Sequence, residues 1–413
     1  MICKKKGKMD CIDYLLILPK ICIKIKQKNC ILPAKVLLES VCCWPDNTSS
    51  SRTITAWILF LNLMVAEIFH AAYVVVHASD ISDAVSAGAT VTTTFEALVR
   101  VHIMLSKKRV INEILSVIWK QFWPLRVILK EEARKELKMK AMISVLLPCT
   151  FLVSSVLSNL LITGLPFIKE HQLVLKSIFP FDWNQSYIYE ALYVWQYVMD
   201  WYVLFMVNAF DFFFVSLVTI CCIQFLIMQE VLTHILSSQS KEHRKIIFGP
   251  AGENMSDHQM LWECLKQHKL LIGICDDIEQ IFNKAALIQF AVSACANCAA
   301  FLIMKVDYGQ FFKMLFYAMA HLVQLFYYCY VGQQLSYESE ALADAIYKCD
   351  WHLQYDRSFR KSLIMMIQRS QRRVCLTAVG FVELDFGSFI RILRMTFSFY
   401  TLLNNLLMKN EQE

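Results

Sequence analysis

The stretch KEEARKELKMK-AMISVLLPCTFLVSSVLSNLLIT, residues 130–163, decides what kind of protein this is. Its first eleven residues carry five Lys or Arg, and the following twenty-three carry no charge. A helix crossing a bilayer needs about 20 mostly apolar residues. A basic flank beside such a run is retained on the cytoplasmic side. Working outward, six further windows qualify: 55–76, 85–105, 192–228, 285–304, 311–331 and 387–408. The window 192–228 is long enough to tilt or overrun the bilayer. The last apolar region starts near Val374, but Glu383, Asp385 and Gly387 divide it, leaving 387–408 as the span proper.

Composition agrees. Apolar residues are 57% of the 413 and charged residues 18%, against about 45–50% and 25% in a soluble domain. Mean hydropathy is +0.43. The net charge of +6 is modest, and no basic patch interleaved with aromatics suggests a nucleic-acid partner. The lipid bilayer is the expected surrounding.

Lys and Arg are distributed one-sidedly. The segments before 51, 106–140, 229–283 and 334–373 hold 31 of them, whereas the alternating loops hold 5. This bias places the N-terminus in the cytoplasm, and an odd number of spans then places the C-terminus outside. The expected fold is all-α: a polytopic membrane protein of seven transmembrane helices with a helical cytoplasmic anchor bundle. That bundle is read from 257–306, where apolar residues recur at helical spacing and run into the fifth span without a breaker. One helix of that length measures about 75 Å, more than twice a ~30 Å hydrocarbon core. The sixth helix likewise continues past Val331 through Glu338 and Leu342. Long amphipathic helices need a partner for their apolar stripe, so subunit contacts are expected there. The nearest breaker is Phe248-Gly249-Pro250-Ala251-Gly252, read as a flexible loop.

The organisation expected is a cytoplasmic segment 1–51, spans one to four over 52–228, anchor helices with spans five and six over 229–386, and a last helix with a short outer tail over 387–413. No cleavable leader is expected, because the apolar stretch 15–23 is short and broken by Pro19 and Lys20. The 16 cysteines avoid the expected outer loops, so free thiols are expected. The pair Cys295 and Cys298 reads either as a metal or redox site or as small residues at a helix interface. Of the sequons at Asn47, Asn184 and Asn254, only Asn184 falls in an expected outer loop and is the glycosylation candidate.

Charges inside spans are site candidates. Glu96 and Arg100 stand four apart and share a helix face, which reads as a site or as a structural ion pair. Asp200 and Asp211 either line a water-filled cavity or, for Asp200, simply meet outer water. His321 reads as a hydrogen-bonded interior residue, and Arg391 and Arg394 as snorkelling or vestibule-facing. There is no Ser-His-Asp set, HExxH, P-loop or strand-borne GxGxxG. Catalysis is therefore not expected, nor is any cofactor or metal. The outer halves of the second, third, fourth and sixth spans offer Thr92, Thr93, Ser155, Asn159, Trp195, Tyr202, Met206, Met314 and Tyr317. An apolar and aromatic lining with few hydroxyls and amides suits a small volatile or lipophilic ligand. Ordinary helix packing is the competing reading for each.

The C-terminal third resembles the insect odorant receptor family. The residues are Cys329-Tyr330-Val331-Gly332, Glu338-Ser339, Leu342, Ala345, Tyr347 and Trp351, then Phe359-Arg360-Lys361, Gln371, Leu376-Thr377-Ala378 and Thr396-Phe397-Ser398-Phe399-Tyr400-Thr401-Leu402-Leu403. Arg373 stands where the family often has Pro, and Phe397 where Tyr is usual. The resemblance implies an odorant-gated, non-selective cation channel in the plasma membrane of an olfactory neuron dendrite. It also implies a heterotetramer with a shared co-receptor subunit, and a last helix that lines the pore. On that helix Ser398, Thr401, Leu402 and Asn405 share a face and form either a gate or a packing surface. The rivals are a G-protein-coupled receptor, which needs the opposite orientation, and less favoured, a gustatory receptor or a transporter.

Overall fold

A computed structural model describes residues 27–45, 50–78, 81–168, 173–306 and 308–410. The sequon at Asn47 and the stretch 15–23 lie outside them. Among the described residues there are eleven α-helices: α1 (Gln27–Ser40), α2 (Ser50–Val76), α3 (Ile81–Ser106), α4 (Lys108–Gln121), α5 (Glu131–Ile168), α6 (Ser186–Thr233), α7 (Ser240–Phe248), α8 (Asp257–Val306), α9 (Phe311–Tyr347), α10 (Arg357–Ser370) and α11 (Phe386–Asn410). The fold is all-α, and the one sheet among the described residues is a hairpin of two-residue strands, Thr377–Ala378 against Val382–Glu383.

Each expected span lies in one long helix, namely α2, α3, α5, α6, α8, α9 and α11. Five of these, α2, α5, α6, α8 and α9, are long and apolar enough to cross a bilayer by length and composition alone. The other two, α3 and α11, are 26 and 25 residues long but carry charges such as Arg100 and Arg394 in their bodies. Burial sorts the bundle into layers. The most apolar window of α6 is 94% buried, against 11% for α2 and 22% for α5. So α6 is the central post. Ile54, Ile58, Leu61, Val65 and Ile68 of α2 form an exposed apolar stripe, the arrangement a lipid solvent permits.

The short helices α1, α4, α7 and α10 are not among the elements expected from the sequence, and the first two pack closely on the bundle. In α1, Ile31, Ala34 and Leu38 are buried, and Ser216 Oγ of α6 donates to the Cys30 carbonyl at 2.8 Å. In α4, Ile111, Ile114, Leu115 and Ile118 form the buried face. Both carry i, i+3/i+4, i+7 spacing, which is legible only once a long basic loop is searched for short helices.

The anchor helices match expectation in length: α8 is 50 residues and α9 is 37. The Phe248–Gly252 breaker differs. It is a packed corner, not a loose loop: Gly249 turns the chain at φ 67° into a 3-10 turn over Gly249–Asn254. A Cβ on Gly252 would meet the Arg244 carbonyl oxygen at 2.2 Å. Arg244 in turn donates to the Met255 carbonyl and pairs with Asp257.

The residues that carry the family resemblance build a clasp for the chain's C-terminal part. Ser336 Oγ donates to the Val374 carbonyl at 3.1 Å, and the Val374 N–H donates to Ser339 Oγ at 2.9 Å. Glu338 is buried, paired with Lys140 and taking 3.0 Å from Gln229 Nε2. The Thr377 N–H donates to Glu279 Oε2 at 2.8 Å, tying the hairpin to α8. Asp385 then caps α11, its Oδ1 accepting from the Ser388 N–H at 2.7 Å. That acceptor is why the last apolar region divides where it does.

Gly332 lets the hairpin lie directly on α9, because a Cβ there would meet Leu384 O at 2.2 Å and Leu384 Cβ at 2.5 Å. Gly332→Ala is therefore expected to lower stability by about 1–3 kcal/mol through overpacking. A thermal melt of the purified chain in detergent checks this, and an unchanged midpoint would count against the clasp.

Candidate functional site

In the apolar interior, four helices meet around one carboxylate. Asp211 of α6 is fully buried. It accepts from Arg100 Nη2 of α3 at 3.0 Å, from Gln324 Nε2 of α9 at 2.6 Å and from Tyr328 OH at 2.8 Å. Tyr327 OH completes the set. Arg100 also donates to Gln289 Oε1 of α8 at 2.6 Å, and Gln289 Nε2 donates to Ser293 Oγ at 2.8 Å. One turn from Arg100, Glu96 Oε1 lies 2.8 Å from Arg100 Nη1. Glu96 and Arg100 are thus paired, as their spacing suggested. The partner that sequence spacing did not identify is Asp211, more than a hundred residues away. Burial of ions is costly unless geometry and further hydrogen bonds compensate, and here Asp211 receives four donors.

Beside this cluster is a cavity of about 80 Å³. At roughly 10–15 Å³ per water on this measure, it has room for several waters or one small organic molecule. Four helices supply the wall: Thr90, Thr93 and Glu96 from α3; Phe151, Ser155, Ser158 and Asn159 from α5; Asp200, Val203, Leu204, Val207 and Asn208 from α6; Tyr317, His321 and Gln324 from α9. Glu96 and Gln324 therefore belong both to the cavity and to the ionic cluster beneath it. The Tyr317 hydroxyl donates to Ala89 O at 2.8 Å and lies 3.0 Å from Thr93 Oγ1. The His321 ring meets Tyr317 edge-on at 4.7 Å. Asn159 Nδ2 donates to Asp200 Oδ2 at 2.7 Å, and Asn208 Nδ2 donates to Ser155 Oγ at 3.2 Å.

Of the nine lining residues read from sequence, Thr93, Ser155, Asn159 and Tyr317 are in this wall. The other five are placed elsewhere. Thr92 Oγ1 donates to the Ala89 carbonyl at 2.9 Å. Trp195 Nε1 donates to Asn62 Oδ1 of α2 at 2.7 Å. Tyr202 OH is 4.0 Å from Cys43 Sγ. Met206 is in the main core, and Met314 packs with Ala296, Ala300 and Ile303. At 3.6 residues per turn, Trp195, Tyr202 and Met206 cluster on the face of α6 opposite Asp200, Val203, Leu204, Val207 and Asn208. The sequence indicated the right helices and depth but not the rotation. His321 is a buried interior residue that also lines the cavity, and its Nδ1 has no hydrogen-bond partner.

On α11, the buried stripe is Ser388, Ile392 and Thr396. Ser398, Thr401, Leu402 and Asn405 are all exposed on the single chain. Phe397 and Tyr400 contact Phe301 of α8 at ring separations of 6.0 and 6.3 Å. Cys295 is exposed and Cys298 buried, and among the described residues no group of three or more His, Cys, Asp or Glu is set to hold a metal. Asn184 is exposed in a turn, its N–H donating to Asp182 Oδ1 at 3.1 Å.

A family model described as 7tm Odorant receptor matches residues 80–397. Among relatives from Drosophila melanogaster, Odorant receptor 22c is 23% identical over 361 residues, 84% of this chain and 88% of that one. Putative odorant receptor 85d is 26% identical over 232 residues, so the chain spans only 52% of that relative's length. The solved structure of the insect olfactory receptor OR5 from Machilis hrabei in complex with eugenol aligns with a TM-score of 0.74 at 13% identity. It covers 95% of this chain and 100% of that one, a likeness of fold.

Arg100→Met leaves Glu96 and Asp211 uncompensated in the interior, and is expected to cost about 3–5 kcal/mol. Adding Asp211→Asn should restore part of that loss non-additively. Thermal unfolding of the single and double variants in detergent is the check, and additive losses would argue against a shared cluster.

Proposed function

This chain belongs to the 7tm odorant receptor family, a family of receptors and not of enzymes, and we propose that it is the odorant-binding subunit of a ligand-gated, non-selective cation channel. The observation that carries this reading is the cavity between α3, α5, α6 and α9, whose inner wall is shared with the Asp211 cluster. A small odorant in the cavity touches Glu96 and Gln324. These are held to Arg100 and Asp211, and Arg100 holds Gln289 of α8. At its outer end α8 carries α11 through Phe301 and through Lys305 Nζ, which donates to Asn404 Oδ1 at 2.6 Å. A ligand that fits one arrangement of the cavity better than another shifts the population of both ends of this chain of contacts, by as much as its affinities differ.

The exposed face Ser398, Thr401, Leu402 and Asn405 is then available for the pore of a heterotetramer with a co-receptor subunit. The anchor helices supply subunit contacts, and the plasma membrane of an olfactory neuron dendrite is the site of action. The distribution of 31 against 5 Lys and Arg supports a cytoplasmic N-terminus and an outer C-terminus.

Co-expressed with a co-receptor, the chain is expected to give odorant-evoked cation current. Val207→Trp, which fills the cavity, should reduce that current at least tenfold while surface expression persists. Current unchanged by the filling, or absent despite surface expression, would overturn the reading.

Orientation has its own check. An epitope tag at Met1 should be reached by antibody only after permeabilisation. Enzymatic deglycosylation should shift the mobility of the native chain but not of Asn184→Gln. Antibody access on intact cells would point instead to the topology of a G-protein-coupled receptor.

A further inference from the structure

The cavity wall is unbalanced in its hydrogen-bonding groups. The hydroxyls of Thr90, Thr93, Thr94 and Ser155 all donate to backbone carbonyls of their own helices. Tyr317 donates to the Ala89 carbonyl. These donors are occupied. The amides are oriented by fixed acceptors: Asn159 Nδ2 faces the Asp200 carboxylate, Gln324 Nε2 the Asp211 carboxylate, and Asn208 Nδ2 the Leu204 carbonyl and Ser155 Oγ. Turning any of them over would set oxygen against oxygen. The three amide oxygens, Asn159 Oδ1, Asn208 Oδ1 and Gln324 Oε1, are thereby left as buried acceptors without partners.

Glu96 adds one more. Its side chain is 2% exposed; Oε1 is ion-paired with Arg100 Nη1 at 2.8 Å, and Oε2 has no hydrogen-bond partner. Four partnerless acceptor oxygens thus stand in the wall, against the Ser158 hydroxyl and the His321 Nδ1. A buried acceptor without a partner costs free energy, most of all a carboxylate. The remaining wall is apolar, from Phe151, Val203, Leu204 and Val207.

We propose that this cavity selects ligands that carry a hydrogen-bond donor, an alcohol or phenol O–H above all, on a compact apolar body, with the Glu96 carboxylate as the anchoring acceptor. The inference rests on the cavity being the odorant site, and it adds the chemical class and the residue that reads it. The hydroxyl lies at the deep end of the cavity, beside the ionic cluster, and the hydrocarbon lies outward between Phe151 and Val203. An ether or hydrocarbon of the same shape leaves Glu96 Oε2 without a donor and is disfavoured for that reason, as when a site built for a hydroxyl meets an analogue lacking it.

Binding to the purified full chain in detergent, read as ligand-dependent thermal stabilisation, tests this apart from channel activity. The probes are benzyl, phenylethyl, hexyl and octyl alcohols, each paired with its methyl ether. The expected result is half-maximal stabilisation at a roughly tenfold or more lower concentration for the alcohols, equivalent to about 1.4 kcal/mol. Glu96→Leu should remove that preference while ethers still bind, and Glu96→Gln, which keeps an acceptor oxygen, should retain part of it. Equal potency of alcohol and ether on the unaltered chain overturns the donor preference and leaves the cavity as a purely apolar odorant site. A preference that persists in Glu96→Leu removes Glu96 as the anchor. Binding of neither series overturns both this inference and the reading of the cavity on which it rests. The alcohol–ether comparison on the unaltered chain decides the preference even if Glu96→Leu does not fold.

Discussion

One guanidinium and one carboxylate, buried where no water can solvate them, set the arrangement of the bundle's interior. Arg100 and Asp211 must stay together, because either one alone in the apolar interior is far costlier than the pair. Their remaining hydrogen-bonding capacity then dictates which helices surround them. Gln289 comes from α8, Gln324, Tyr327 and Tyr328 from α9, and Glu96 from α3 itself. The position of the cavity follows from this. The helices are pinned at the depth of Asp211, and the space opens immediately beside the pins, so its floor is made of groups already engaged in holding the bundle.

Polar contacts also fasten the far parts of α8 and α9. Both helices are far longer than a membrane requires, and polar side chains do the fastening: Glu338 with Lys140 and Gln229, Ser336 and Ser339 with Val374, and Glu279 with Thr377. These contacts hold the hairpin and, through it, the start of α11. Among the residues by which the chain resembles its family, Glu338, Ser339 and Thr377 thus take part in fastening the last helix, and Gly332 stands where a side chain would collide with Leu384. Among the residues of α11 whose burial is described, Ser388, Ile392 and Thr396 form the buried stripe, and Phe397, Tyr400 and Asn404 contact α8.

The lipid setting explains why burial and apolarity part company. In α2 the exposed stripe is apolar, and in the interior the buried residues include Glu96, Arg100, Asn208, Asp211, Gln289 and Gln324. With hydrocarbon as the outer solvent, apolar side chains gain nothing by turning inward, and polar ones are driven to each other. A search for an amphipathic pattern of the water-soluble kind would therefore orient α2 backwards.

How much of this was legible beforehand differs by level. Seven long apolar windows, the continuous helix of Asp257–Val306 and the break before α11 could all be read along the chain. Each depends on local composition and on the fixed thickness of a bilayer. Four of the nine lining residues were also legible, because helix identity and depth follow from position in the sequence. Rotation about the helix axis was not: Trp195, Tyr202 and Met206 lie on the same helix as the lining residues Asp200, Val203 and Val207, yet face away from the cavity. That angle is decided by Asp211 finding Arg100 across more than a hundred residues, and by the amide and hydroxyl partners that gather around them. Such pairings depend on which helices become neighbours, and a linear chain does not carry that information until it has folded.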